Sequence, residues 1–165
     1  GGTASTSHAH MDAGSFIYEQ AGVRWAMDLG MQDYYSLESK GVDLWNTKQY
    51  SQRWQVFRIG SSAHNTLTID GKSHQVNGFA ELKSFTDNQG NKIADNQTIM
   101  LTQGNKQLSL QVDSPRKVNL HIWDNTPPHD YDYENPGTCR VGYDIALNPK
   151  EKITIKVKFN LIKNE

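Results

Sequence analysis

The sequence contains a single cysteine, Cys139, among its 165 residues. One thiol excludes an internal disulfide framework. No apolar run approaches the roughly 20 residues that a membrane-spanning helix needs. Lys and Arg are scattered and the formal net charge is −1, so the basic stripe of a nucleic-acid-binding protein is missing. An anionic sugar is not excluded as a partner, because a few Arg or Lys side chains can hold carboxylates locally.

The length predicts one domain, over residues 1–165, that buries its own hydrophobic core. The segment from Gly1 to Ser7 has the composition of a loop rather than of a natural N-terminus. We therefore expect that the chain has been cut from a longer protein.

Runs of β-prone residues between turn residues dominate the chain. They are Ser15 to Gln20, Val23 to Asp28, Gln55 to Ile59, Asn65 to Ile69, Ala80 to Phe85, Ile99 to Thr102, Gln107 to Val112, Val118 to Trp123, Arg140 to Leu147 and Ile153 to Leu161. Their spacing of about 8–12 residues predicts an all-β fold, a sandwich or a barrel. Two stretches lack the alternation of a strand, Met31 to Arg53 and Thr126 to Gly137. We expect long loops there, the first with a short helix, and long ordered loops are often functional.

The candidate chemistry lies in the first half of the chain. His8, His10 and Asp12 recur at every second position, so their side chains project from one face of an extended segment. Asp28 ends the second β-prone run and His64 begins a later one. Imidazole and carboxylate groups are the ligands that zinc takes in a tetrahedral site. The pattern indicates a metal site, but spacing does not decide between Asp12 and Asp28 as a ligand.

Three motifs occur in order along this half: SHAHMDAGSF from Ser7 to Phe16, WAMDLG from Trp25 to Gly30, and HNTLTIDG from His64 to Gly71. Together they resemble the C-terminal region of heparinase II/III-like polysaccharide lyases. The resemblance is specific over residues 5–75, and beyond residue 80 it implies only more strands. It implies an antiparallel β-sandwich of the super-sandwich type, as a fragment of a larger toroid-plus-sandwich protein. The N-terminal (α/α) toroid would then be absent from this chain.

The resemblance implies a role for each matching position. His10, Asp28 and His64 match the residues that bind a structural zinc ion in zinc-bearing members. His8 matches a catalytic histidine that faces the substrate. Asp12 is then expected to orient an imidazole from outside the ligand set.

The resemblance also implies a reaction. These lyases cleave uronic-acid-containing polysaccharides, either heparin- or heparan-sulfate-like glycosaminoglycans or alginate-like chains. They remove the C5 proton and break the C4–O bond by β-elimination. We expect His8 to act as the base or to neutralise the uronate carboxylate. The family's remaining catalytic groups, a Tyr with an Asn or His, lie in the toroid, so this chain alone should be inactive. The full-length lyase is expected to be periplasmic or secreted.

Arg58 and Tyr35 are the candidates for substrate contacts. A guanidinium pairs well with a carboxylate or a sulfate, and a tyrosine ring can stack on a sugar face.

Two other readings compete with the lyase. A non-catalytic carbohydrate-binding or structural β-sandwich module would fit the incomplete acid/base set. A cupin-like metal oxygenase would also carry a His-x-His pair and a later His. That fold usually has a Glu a few residues after the pair and keeps open positions for iron. Here the nearest acidic residue is Asp12, and Glu19 lies farther on.

Overall fold

The computed structural model describes residues 8–81 and 98–162. The regular elements in these ranges are mostly short strands: β1 (Tyr18–Gln20), β2 (Val23–Ala26), α1 (Tyr34–Glu38), β3 (Thr98–Gln103), β4 (Lys106–Asp113), β5 (Asn119–Asp124), β6 (Cys139–Asp144) and β7 (Lys156–Ile162). Two 3₁₀ turns occupy Gln52–Gln55 and Ser61–Ala63. None of the helices in this part of the chain has the length and apolar character to cross a membrane.

The chain divides into two compact units. Unit 1 comprises Gly1–Glu19, Ala26–Thr86 and Thr126–Pro136, and unit 2 comprises Gln20–Trp25, Asp87–Asn125 and Gly137–Glu165. The first two predicted runs contribute a hairpin, because β1 and β2 pair across Ala21 and Gly22. Both turn residues have positive φ, 54° and 72°, as a tight two-residue hairpin turn requires.

Unit 2 contains two antiparallel sheets. The larger has the strand order β3-β4-β7, with Ile99 opposite Leu110 and Leu110 opposite Phe159, and the smaller pairs β5 with β6. Side chains alternate between the faces of a strand, so each sheet gives one face to the core. The residues of both sheets that share this core include Ile99, Leu110, Val112, Leu120, Val141, Tyr143 and Phe159. The two sheets are therefore two layers of one sandwich.

Unit 1 is built mainly from turns around a second apolar cluster. Its buried members are Met11, Leu37, Val42, Leu44, Trp54, Val56 and Ile59. The predicted short helix in the first long loop is present as α1. The Asp33 carboxylate caps it by accepting from the Ser36 N–H at 2.9 Å. A helix of five residues is not stable alone, so the complete burial of Leu37 in this cluster must stabilise it.

The second predicted long loop, residues 126–137, also belongs mostly to unit 1, and two buried polar side chains attach it there. Gln32 donates to the Tyr131 carbonyl at 2.6 Å and accepts from the Tyr133 N–H at 3.1 Å. The Asp132 carboxylate accepts from the Phe57 N–H at 2.8 Å. Buried polar groups must be paired, so these bonds fix where the loop lies.

Two predicted strands are wrong. Gln55 to Ile59 is a series of tight turns, in which Ile59 and Gly60 both donate to the Val56 carbonyl. Its apolar residues alternate imperfectly and are nearly all buried, which a turn inside a core achieves as well as a strand does. A Cβ at Gly60 would lie 2.7 Å from the Trp54 carbonyl oxygen, so this turn requires glycine.

Asn65 to Ile69 forms no strand either, and Leu67 and Ile69 are 66% and 75% exposed. Side-chain hydrogen bonds of this segment, described below, replace a strand ladder. Most of the predicted strand from Ala80 to Phe85 lies outside the described residues.

Candidate functional site

His64 and Asp28 form the best-defined contact of the candidate site. His64 follows the 3₁₀ turn Ser61–Ala63, and its side chain is 2% exposed. Its Nδ1 lies 2.6 Å from Asp28 Oδ2, while its Nε2 is buried and has no hydrogen-bond partner. The other Asp28 oxygen accepts from the Gly30 N–H at 2.8 Å. Burial raises the pKa of Asp28, but the hydrogen bonds from His64 and Gly30 outweigh it and hold the pKa below its usual value.

His10 lies beside this pair. Its ring centroid is 5.3 Å from that of His64, and the two rings are tilted by 39°. Burial lowers the pKa of His10, and the nearby charges of His64 and Arg53 lower it further, against the opposite effect of Asp12 and Asp28. The imidazole is therefore neutral at neutral pH, which is the form that can bind a metal ion.

The three predicted ligands are thus neighbours, although they are not arranged as a finished metal site. Among residues 8–81 and 98–162, no group of three or more His, Cys, Asp or Glu side chains is placed to hold an ion. Asp28 contacts His64 directly. Asp12 is exposed and acts on His10 through its charge. Of the two aspartates that spacing left open as ligands, only Asp28 has a described contact with another predicted ligand. The geometry therefore favours Asp28.

The His-Asn-Thr motif ties the three sequence motifs together. Asn65 donates to the carbonyls of Phe16 at 2.9 Å and Met27 at 3.0 Å. Thr66 donates to the Ala13 carbonyl at 2.6 Å. With the His64–Asp28 contact, each residue of this tripeptide bonds to one or both of the other two motifs. The co-occurrence of the motifs therefore has a physical reason.

His8 occupies a different environment from His10. Its side chain is exposed and lies against two aromatic residues, with Nδ1 3.4 Å from the Tyr34 hydroxyl and the ring edge-on to Trp45 at 5.7 Å between centroids. Trp45 is also edge-on to Tyr34, and it donates to Glu38 at 2.7 Å. The rings of Tyr34, on α1, and of Trp45 therefore lie against the accessible imidazole of His8.

Arg53 fixes the backbone between the two histidines. Its side chain is completely buried, and it donates to the Ala9 carbonyl at 2.8 Å and to the Leu44 carbonyl at 2.9 Å. These two bonds link the backbone between His8 and His10 to the backbone at Leu44, the residue before Trp45. This role of Arg53 is not visible in the sequence, because an arginine in an irregular turn carries no periodic signal of burial. The clue available was its position before Trp54 and Val56 in an apolar stretch.

The comparison with protein families decides the assignment. The sequence model described as Heparinase II/III-like, C-terminal matches residues 1–113, which is more than half of the chain. The chain belongs to this heparinase II/III-like family. A search of curated proteins found no match. The C-terminal domain of the heparinase II/III-like family is a sandwich, so the predicted all-β sandwich class is confirmed along with the family.

Membership in the heparinase II/III-like family implies polysaccharide lyase activity in the full-length protein. The matched region contains His8, His10, Asp28 and His64, together with Tyr35 and Arg58. It ends at the last residue of β4, so β5, β6 and β7 lie beyond it.

The two predicted substrate contacts lie in contrasting settings within this heparinase II/III-like region. Tyr35, on α1, is 76% exposed. The Arg58 guanidinium is held by the protein, since it donates to Asn135 Oδ1 at 2.8 Å and to the Leu29 carbonyl at 3.1 Å. It also lies 5.5 Å from the Tyr133 ring centroid. A substrate role stays a prediction for both residues, and the contacts of Arg58 give it a structural task in any case.

Proposed function

We propose that this chain is the sandwich part of a lyase that cleaves uronic-acid-containing polysaccharides by β-elimination. In this proposal His8 acts on the substrate, and His10, Asp28 and His64 hold a structural zinc ion. One observation carries it: His8 and His10 lie two residues apart, but the His8 ring is exposed beside aromatic rings, whereas the His10 ring lies beside the buried imidazole of His64, which contacts Asp28.

The surroundings of His8 suit a proton-transfer group. Tyr34 and Trp45 limit the orientations of the imidazole, and the Tyr34 hydroxyl faces Nδ1, which leaves Nε2 to meet the substrate. An imidazole nitrogen can take the weakly acidic C5 proton of a uronate, and an imidazole N–H can donate a hydrogen bond to its carboxylate. Neutralising that carboxylate stabilises the enolate-like intermediate, because negative charge builds up there as the proton leaves.

The donor set supports the zinc part of the proposal. His64 has a buried Nε2 without a partner, His10 is neutral, and the Asp28 carboxylate is ionised. These are ligand types that zinc accepts. When bound, the ion would supply coordination bonds that fix the segment carrying His8. The steps at the sugar themselves would use side chains of the protein.

The remaining partners follow from this proposal. An (α/α) toroid of the same polypeptide would supply the complementary acid or base. The substrate is a large anionic chain, so we place the full-length enzyme in the periplasm or outside the cell.

The zinc assignment is tested by metal analysis of the variants His10→Ala, Asp28→Ala and His64→Ala. We expect each variant to lose most of its zinc and to melt at a lower temperature, because bound metal stabilises only the folded state. His121→Ala, in unit 2, is the matched control and should keep its zinc. The ligand set is wrong if His10→Ala, Asp28→Ala and His64→Ala all retain one zinc ion per chain.

The role of His8 is tested in the full-length protein by the absorbance of the unsaturated uronate product. His8→Ala should retain zinc and lower kcat by about 100-fold or more, because positioned acid/base groups contribute that much. His74→Ala, which removes a histidine of the same unit that is not in this cluster, should leave kcat near the wild-type value. Full activity of His8→Ala would remove His8 from the mechanism.

A further inference from the structure

The outer face of the β5–β6 sheet presents an ordered row of polar and aromatic side chains. Leu120, Val141 and Tyr143 face the core, so the alternate positions point the other way. On that outer face three cross-strand pairs follow one another: Asn119 with Asp144, His121 with Gly142, and Trp123 with Arg140. Their side chains recur about every 7 Å along the strand.

Trp123 lies across the sheet because of the glycine beside it. A Cβ at Gly142 would lie 3.0 Å from Trp123 Cζ3, so any other residue there would push the indole aside by a few tenths of an ångström. The ring is 43% exposed. His121 stacks on it with 5.0 Å between centroids and 20° between planes, and the Arg140 guanidinium lies 5.9 Å from its centroid.

The polar groups of this face are held in place. The Asp144 carboxylate accepts from Asn119 Nδ2 at 2.9 Å and is also hydrogen-bonded to His121 Nε2. Fixed donors and acceptors beside an exposed aromatic ring are suited to a ligand that has both hydroxyl groups and an apolar ring face.

Charge indicates which kind of ligand would be attracted. The described residues of unit 2 include nine Lys and Arg against four Asp and Glu, a formal charge of +5. Those of unit 1 include five against eleven, a formal charge of −6. An anionic chain is therefore drawn to unit 2, and Arg140 adds a guanidinium next to the stacking surface. The hydroxyl groups of a sugar chain can in addition bond to Asn119 and Asp144, whereas a phosphate backbone offers few hydroxyl groups.

We propose that Asn119, His121, Trp123, Arg140 and Asp144 form a second binding surface for the anionic polysaccharide, separate from the residues around His8. The ligand class rests on the proposed function, whereas the surface itself rests on the β5–β6 geometry. Its role would be to hold a long chain while another part is cleaved, since binding at two linked sites raises the effective concentration of the substrate.

The test is binding of fluorescently labelled heparin and polymannuronate to the full chain, with dextran as a neutral polysaccharide. We expect an anionic chain to bind and dextran to bind much more weakly. Trp123→Ala should weaken binding about threefold to tenfold, which corresponds to the loss of one aromatic contact. Arg140→Gln should weaken it and also reduce its dependence on salt concentration.

The controls separate this surface from other effects. Tyr50→Ala removes an aromatic side chain of unit 1 that is 90% exposed, and Lys152→Gln removes an exposed positive charge of unit 2 outside the β5–β6 pairs; both should bind much as the wild type does. Trp123→Phe, which keeps an aromatic ring, should recover part of the affinity, and unchanged melting temperatures would show that the variants fold.

Three results would overturn the proposal: no binding of either polyanion, equal binding by Trp123→Ala and the wild type, or tighter Trp123-dependent binding of single-stranded DNA. Failure of the proposed function gives a different pattern. In the full-length protein His8→Ala should abolish cleavage and keep this binding, whereas Trp123→Ala should keep kcat on short oligosaccharides and raise KM on long chains. If His8→Ala still cleaves while Trp123→Ala loses binding, the catalytic role fails and this surface stands.

Discussion

At the scale of single residues, the buried guanidinium of Arg53 positions the backbone of the candidate site, although it is not one of the predicted site residues. It holds the carbonyl of Ala9, the residue between His8 and His10, and connects it to Leu44, next to Trp45. Both His10, the proposed zinc ligand, and His8, proposed to face the substrate, therefore depend on one side chain from a turn about 44 residues later.

Arg53→Met should destabilise the chain by about 2–4 kcal/mol, because it leaves two buried carbonyl groups without a donor. Zinc affinity should fall in the same variant, although no ligand has been changed. Urea denaturation and metal titration measure the two effects. Arg53→Lys, which can still donate to one carbonyl, should lie between the wild type and Arg53→Met; a variant as stable as the wild type would contradict the role given to these two bonds.

The neutral state of His10 predicts a pH dependence. Its folded pKa lies below its unfolded value of 6.5, so the unfolded chain binds more protons as the pH falls through that region. The contribution of His10 to stability is therefore complete above pH 6.5 and decreases below it. Urea midpoints measured from pH 7.5 to 5.5 in the presence of a chelator should fall, and His10→Gln should make this decrease smaller. Equal slopes for the two proteins would show that His10 does not carry the effect.

The spacing of His8, His10 and Asp12 indicates a metal site from sequence, but only the resemblance to the heparinase II/III-like family predicts Asp28 as a ligand. The structure brings His10, Asp28 and His64 together, and it separates His8 from them. What the sequence could not provide were the partners that hold these side chains. Trp45 contacts His8, Glu38 accepts from Trp45, and Arg53 donates to the Ala9 carbonyl. No periodic pattern encodes such contacts.

At the scale of elements, prediction succeeded where side chains alternate and failed where apolar residues gather in turns. β3, β4 and β7 were predicted within a few residues, since apolar and polar residues largely alternate along each of them. The segment from Gln55 to Ile59 was mistaken for a strand because Val56, Phe57 and Ile59 are apolar. These side chains are buried because the backbone turns tightly. From the residue types alone, such a turn cannot be told from a strand.

The loop at residues 126–137 depends on one buried carboxylate. The Asp132 side chain is completely buried, and it accepts from the Phe57 N–H and from His129 Nδ1 at 3.0 Å. Asp132→Ala should cost about 2–4 kcal/mol, because the buried Phe57 N–H loses its partner. Asp132→Asn keeps an oxygen that can accept from Phe57 and should cost clearly less. Chemical denaturation would test the pair, and equal losses would indicate that charge, rather than the hydrogen bond, is what matters.

At the scale of the whole molecule, the formal charge of −1 conceals two units of opposite sign. The scattered Lys and Arg residues gave no sign of a basic region in the sequence, because the segments of unit 2 are interrupted by those of unit 1. The acidic unit contains the proposed zinc ligands and the basic unit contains the proposed polyanion surface. The charge of unit 1 thus favours a metal cation and that of unit 2 favours a polyanion, and the anionic substrate that His8 is proposed to meet gains no attraction from the net charge of unit 1.

Hydrogen exchange should show the same division. Added zinc should slow exchange in peptides around His10, Asp28 and His64, because the ligand stabilises the structure that binds it. Exchange in β3 to β7 should change much less. A uniform slowing across both units would mean that the ion stabilises the chain as one cooperative body, and no change in unit 1 would argue against the proposed zinc ligands.

The single cysteine has a practical consequence that its position in β6 makes clear. Cys139 is exposed and pairs with Asp124, directly next to the pair formed by Trp123 and Arg140. A maleimide dye would react at this one thiol and report from the end of the aromatic row, without any engineered attachment site. A fluorescent label on Cys139 would therefore report the binding of a ligand to the outer face of the β5–β6 sheet.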